Sequence, residues 1–283
     1  MNATQSDKAR RFRALHERPG AFVIPNVWDG ASASVMAGSV MAGMKFEALA
    51  TSSAACAATL GRLDGQITRD QALAHARVIV GASDLPVSAD LEQGFGDAPE
   101  VVAETIRQPA TAGLVGGSIE DASHNPRVPI YDFELAVERI AAAADAARKL
   151  PFPFTLTARA ENHLHGRADL EDTVRRLQAF ERAGADVLFA PGLPDLTAVR
   201  TLCSAVRKPV NFMVGIPGRS FSVAELAAAG ARRISLSTSL HRAAITGLYA
   251  AAREVQESGT FSYLETIMSG QDLARFLEGR IPA

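Results

Sequence analysis

"ERAGADVLFAPG", residues 181–192, holds the reading of the fold in twelve letters. A helical, Ala-containing segment ends at Ala-Gly, and an apolar run follows at once. Glycine just past a helix end takes the left-handed cap conformation without a Cβ penalty. The run after it is apolar throughout rather than alternating, as expected of a strand buried on both faces of a parallel sheet. The same module recurs as "VMAGMKFEALAT" (40–51), "ATAGLVGGSIED" (110–121) and "LAAAGARRISLS" (226–237). Repeated βα units of this kind predict an α/β architecture.

Working outward from these modules, strands are predicted near 21–25, 46–51, 86–91, 114–120, 153–159, 186–190, 209–213 and 232–236, with amphipathic helices between them, such as 131–149 and 169–183. Eight strands alternating with helices predict a (β/α)8 TIM-type barrel rather than a doubly wound sheet, and no GxGxxG follows the first strand. The barrel with its N-terminal helix is assigned to 1–257. A C-terminal helical tail, 258–283, has no strand to pair with and is expected to cover the barrel or reach a neighbouring subunit.

Composition excludes several function classes. The 283 residues are 47% hydrophobic and 21% charged with a net charge of −2, so nothing draws the chain electrostatically to nucleic acid or an anionic membrane. No run reaches the roughly 20 apolar residues of a membrane span, and the charged N-terminus has no signal-peptide core. Two cysteines, Cys56 and Cys203, make neither a disulfide framework nor a CxxC pair. A cytoplasmic protein is expected, with Cys56 and Cys203 as buried filler.

In a TIM barrel the C-terminal strand ends face the active site. Here those ends carry Thr51, Ser52 and Ser53 with Asp64 in the following loop, then Asp90 and Glu92, Glu120 and Asp121, Arg159 and Glu161, and Asn211. Two carboxylates about 5 Å apart repel by on the order of 3 kcal/mol at an effective dielectric of 20. Several at one mouth therefore call for protonation or a cation, and an all-oxygen donor set favours Mg2+ or Mn2+ over zinc. Arg159 is a planar fork for a substrate carboxylate or phosphonate, and the amides after Ser52 are candidates for holding an oxyanion. Gly94 and Gly96 let the chain turn beside the cation. The plainer alternatives are solvated loop charges at Asp64 and Glu161, a structural ion pair at Arg159, and solvent-facing imidazoles at His163 and His165.

The motifs "PNVWDGASA" (25–33), "TSSAACAATLGRLDG" (51–65), "ADLEQGFG" (89–96), "GSIEDA" (117–122) and "TARAENHL" (157–164) together resemble the isocitrate lyase/phosphoenolpyruvate mutase superfamily over roughly residues 10–255. The resemblance implies an α/β barrel, Mg2+, and chemistry on the enolate of a small α-keto or α-hydroxy acid. It implies Asp90 as the direct metal ligand, with Asp64, Glu92 and Glu120 bound through water. Ser52 with the amides of Ser53 and Ala54 would hold the substrate carboxylate and oxyanion, Arg159 the carboxylate, and Trp28, Asp90 and Asn211 complete the substrate-binding set. It also implies a homotetramer exchanging the C-terminal helix.

Departures from the family pattern bear on the reaction. The lyases carry a catalytic Cys on the loop after strand 4; here that loop, "EDASHNPRVPIYD" (120–132), has neither Cys nor Lys. It offers Asn125 and Arg127 as partial substitutes and His124 as acid/base, so the catalytic set reads Ser52, Glu120, His124 and Arg159. Where the mutases place a His after strand 6, this chain has Ala190. The expected function is Mg2+-dependent C–C cleavage of a small keto or hydroxy (di)carboxylate, as oxaloacetate-like decarboxylation or retro-aldol/Claisen cleavage. The alternatives are a diverged 2-methylisocitrate lyase, a phosphonopyruvate-type P–C enzyme, and a non-catalytic keto-acid binder.

Overall fold

The structure, a computed structural model, describes residues 3–38 and 46–278. Eight parallel strands, β1 (Phe22–Ile24), β2 (Leu49–Ala50), β3 (Val87–Asp90), β4 (Gly116–Glu120), β5 (Thr155–Arg159), β6 (Val187–Phe189), β7 (Val210–Met213) and β8 (Arg233–Ser235), run in the order β1-β8-β7-β6-β5-β4-β3-β2. The two edges meet through a bridge from Asn26 to Ala50, where the Val27 amide donates to the Ala50 carbonyl at 2.8 Å. The result is a (β/α)8 barrel, and each strand falls inside the range its sequence predicted.

Helix α7 (Leu170–Ala183) shows why the module folds as it does. Asp169 caps its first turn by accepting from the Asp172 amide at 2.9 Å, and Thr173, Leu177 and Phe180 repeat at helical spacing on the buried face. Leu177 and Phe180 are fully buried, each worth about 2 kcal/mol of transfer free energy. Gly184 then ends the helix at φ 110°, and Gly113 and Gly230 do the same at 81° and 102°. Gly43, the glycine of the first module, lies outside the described residues.

The far end of the barrel is closed by α1 (Gln5–Glu17). Its buried Phe12 and His16 rings stack edge-on, and His16 does the same against Phe22. A Cβ on Gly116 would stand 2.9 Å from Phe12, so the glycine that opens β4 makes room for this plug.

At the other end, α6 (Phe133–Arg148) fixes the loop after β3. Arg139, 1% exposed, stacks over the Tyr131 ring at 4.2 Å and donates to the carbonyls of Gln93, Gly96 and Asp97, the Gly96 bond measuring 2.7 Å. Gly94 is left-handed (φ 90°), as a tight turn requires, whereas Gly96 is needed for space: a Cβ there would lie 2.6 Å from Val101. Glu92 and Phe95 are also left-handed, at 50° and 61°, so this loop holds two side-chain-bearing residues in a conformation they rarely adopt.

Among the described residues no helix is long and apolar enough to cross a membrane. The helix after β8, α10 (Ser239–Ser258), has no buried residue, and the short α11 (Gly270–Leu277) lays Phe276 against Gly38 of α2 (Gly30–Gly38).

Candidate active site

Asp90 ends β3 at the centre of the mouth, its amide tied to Thr51 Oγ1 at 2.9 Å. Its carboxylate accepts from Arg159 Nη1 at 3.0 Å, from Ser118 Oγ at 3.4 Å and from the amide and hydroxyl of Ser53, both at 3.3 Å. Two residues on, the left-handed turn at Glu92 sends its side chain back into the mouth, where it is 3% exposed. Glu92 Oε2 lies 3.6 Å from His124 Nε2, and Glu92 Oε1 is buried with no hydrogen-bond partner among the described residues. Burial first, then the charges of Asp90, Asp64 and Glu120, push Glu92 up to about 8, against the opposing pull of His124.

Glu120, at the end of β4, lies 3.2 Å from Arg159 and 3.6 Å from His124. Asp64 sits on the exposed rim with its carboxyl beside Ser53. Lost hydration and the neighbouring Asp90 and Glu120 raise its pKa, which the Ser53 hydrogen bond partly offsets. His124 is itself left-handed (φ 57°), and its pKa is raised by the Glu120 hydrogen bond and by the charges of Glu120, Glu92 and Asp64, against its burial. Gln93 Nε2 approaches the other ring nitrogen at 3.3 Å.

Arg159 gathers these acids. Besides Asp90 and Glu120 it binds Glu161 at 2.8 Å, and its guanidinium stands 5.1 Å over the Phe189 ring. Burial acts to lower its pKa, but Glu161, Glu120 and Asp90 outweigh it and hold the group firmly charged. Glu161 is not a solvated loop charge: it is buried, and burial carries it up to about 8 in spite of Arg159. Arg159 thus already binds three carboxylates, and a substrate carboxylate would have to share or exchange one of them.

Other residues singled out by the sequence take different places. Ser52 caps α3 (Ser53–Thr59), its hydroxyl accepting from the Ala55 amide at 3.4 Å. Asp121 stands apart from the acids of the mouth, buried between the Glu161 amide (2.8 Å) and Arg176 (3.2 Å). Asn211 lies deeper in the barrel, accepting from Arg233 Nε at 2.8 Å and donating to Ser235 Oγ at 3.0 Å. Trp28 is half-buried with its indole edge-on to His241 at 5.3 Å.

Of the loop residues after β4, only His124 reaches the acids. Asn125 accepts from the Arg127 amide at 3.0 Å and so builds the turn, and both residues are exposed. His165 is exposed and His163 half-buried, and no three Asp, Glu, His or Cys side chains among the described residues stand close enough to hold a metal on their own. Cys56 is buried and burial raises its thiol to about 11; Cys203 is half-buried rather than core. Sequence reasoning passed over Ser118 and Arg233, polar residues on strands read as apolar throughout.

The model of the phosphoenolpyruvate phosphomutase family matches residues 12–256. A Burkholderia cenocepacia J2315 protein provisionally described as a lyase/mutase superposes with a TM-score of 0.92 at 54% identity, covering 96% of each chain. The structure of a 2,3-dimethylmalate lyase superposes with a TM-score of 0.83 at 30% identity, covering 95% of this chain and 94% of that one. A 2-methylisocitrate lyase of Shewanella oneidensis is 30% identical over 82% of each chain. The chain belongs to the phosphoenolpyruvate mutase family, within the isocitrate lyase/phosphoenolpyruvate mutase superfamily of lyases and mutases.

Proposed function

We propose that this protein is a Mg2+-dependent lyase that breaks a C–C bond in a small α-keto or α-hydroxy (di)carboxylate. The observation that carries the reading is the cluster of Asp64, Asp90, Glu92 and Glu120 at one mouth, with Glu92 Oε1 buried and unpartnered among the described residues. A buried acceptor without a donor, among carboxylates, fits a hard divalent cation, and all the donors are oxygen. Asp90 would hold it directly and Asp64, Glu92 and Glu120 through water, which agrees with the lack of three converging ligands among the described residues. Bound there, the cation supplies the positive charge that a leaving enolate requires.

The chain's own residues do the rest. Arg159 orients a substrate carboxylate, and the amides of Ala54 and of Ser53, the latter now donating to Asp90, would serve an oxygen that gains charge. His124, whose raised pKa favours the imidazolium, holds a proton at Nε2 within 3.6 Å of Glu92 and Glu120, for delivery to the carbon that departs. Names of relatives point the same way, since one is a 2,3-dimethylmalate lyase and another a 2-methylisocitrate lyase. A phosphoryl group would want a loop cation, and the 121–132 loop spends Asn125 on its own turn and leaves Arg127 in solvent.

The test is a panel of oxaloacetate, 2-methylisocitrate, 2,3-dimethylmalate and phosphonopyruvate, assayed with Mg2+, with EDTA, and with Asp90→Ala. We expect a keto acid or CO2 to be released from a C–C substrate only with Mg2+ and intact Asp90. Release from phosphonopyruvate alone would favour the P–C reading, and binding without turnover across the panel would favour a non-catalytic binder.

The tail is proposed to pack against further copies in a homotetramer, because Leu248, Tyr249, Phe261 and Leu264 stand in solvent at 56–67% exposure on α10 and the segment that follows it. Removal of residues after 257 should lower the mass seen by light scattering; an unchanged mass contradicts the exchange.

A further inference from the structure

Arg233 opens β8 and points into the barrel, where it is 5% exposed. Its Nε donates to Asn211 Oδ1 at 2.8 Å and its Nη2 to Thr157 Oγ1 at 3.1 Å. Both partners are neutral. Nη1 is buried and has no partner among the described residues. An interior arginine is normally paired with a carboxylate, because a buried charge without a counter-charge is among the least favourable arrangements a fold can hold. Burial, and then the like charge of Arg159, pull Arg233 down to about 9, and no acid among the described residues opposes them.

The guanidinium borders a cavity of about 50 Å3 that runs between it and the catalytic mouth. Asn26, Ser118, Asn211 and Ser235 line its walls, and Asp90 and Arg159 border it. The volume holds more than one water molecule and only a small ion or the end of a small molecule. Asp90 is the one acid on the lining among the described residues, and its oxygens are already engaged by Arg159, Ser118 and Ser53. Two arginines and two amide side chains therefore face a space that contains one carboxylate already in use.

We propose that this cavity is a binding site for a small monovalent anion, a carboxylate or a halide, seated on Arg233 Nη1 with the remaining N–H of the Asn211 amide beside it. The two sources of the charge are distinguishable. A carboxylate would be the buried end of the substrate, with Arg233 selecting acids that carry a second negative group; this branch rests on the lyase reading. A halide would be a resident counter-ion and would stand without it.

The experiment measures the melting temperature of the cation-free full chain in sodium acetate, sodium chloride and sodium gluconate at equal ionic strength. Gluconate is too large for the cavity. Acetate, chloride or both should raise the wild-type melting temperature by several degrees, saturably, above gluconate. Arg233→Met should not respond, and should melt no lower than wild type in gluconate because an uncompensated buried charge has been removed. A response to acetate alone assigns the carboxylate, and a response to chloride assigns the halide. Equal melting of the wild type in all three salts overturns the proposal, as does an undiminished response in Arg233→Met. Should that variant not fold, wild-type crystals soaked separately in bromide and in acetate decide: bromide anomalous density or acetate density at Arg233 Nη1 supports the site, and the absence of both overturns it. No turnover is measured, so failure of the substrate panel leaves this result standing.

Discussion

Replacing Arg139 by Met should destabilise the protein by about 3–5 kcal/mol, through the loop that presents Glu92. The guanidinium is 1% exposed and is the donor for the carbonyls of Gln93, Gly96 and Asp97. Each buried carbonyl left without a donor costs roughly 1–3 kcal/mol. Three such losses set an upper range that local entry of water reduces, and Met recovers part of the packing over Tyr131. Removal of a buried charge, whose own pKa burial lowers, also offsets some of the loss. At about 2–4 °C per kcal/mol for a chain near this size, the melting temperature should fall by about 10 °C. Arg139→Lys should fall between the two, since an ammonium cannot span three carbonyls with a planar fork. Urea and thermal unfolding of the cation-free protein measure the change. A shift below about 1 kcal/mol would mean that the carbonyls are satisfied without Arg139, and would refute the clamp.

The other predictions concern packing and pH. Gly117→Ala puts a Cβ 2.7 Å from Leu91 and should cost about 1–3 kcal/mol in urea unfolding, with no effect contradicting the close approach. His16 is held down to about 3 by burial and Arg233, so below 6.5 the unfolded chain takes a proton that the folded one refuses. Stability contributed by this group is full above 6.5 and lost toward 3, at up to about 1.4 kcal/mol per pH unit. His16→Met should therefore flatten the acid limb of a stability–pH curve, and an unchanged limb would contradict the assignment. Glu92 acts in the opposite sense. With a folded pKa of about 8 against an ordinary 4.5, its contribution is full below 4.5 and lost as pH rises through 8, so cation-free Glu92→Gln should gain on wild type at pH 8. A variant less stable at pH 8 than at pH 5, by as much as wild type, would show that the carboxyl is not the cause.

Much of the barrel was legible because the Ala-Gly breaks are local: Gly113, Gly184 and Gly230 each end a helix by their own backbone freedom. The acids of the mouth were legible because strand ends deliver them whatever the interior does. What the strands carry inside was not. Arg233 follows Arg232 in "ARRISLS", and only the register of β8 with β7 shows that one faces solvent and the other the barrel. Gly96 looked like a second turn glycine, and its reason is contact with Val101, which no motif records; the clamp by Arg139 spans more than forty residues of sequence. Asn125 and Arg127 carried the right chemistry in the right loop, and the turn they form with each other takes them away from the acids.

Titration of Mg2+ into the cation-free protein, by calorimetry on wild type and Asp90→Asn side by side, tests the central claim most directly. The account predicts one cation per chain for wild type and at least tenfold weaker binding for the variant, because Asp90 is the ligand in direct contact. Wild type that takes up no Mg2+, or a variant that binds it equally well, would contradict the account.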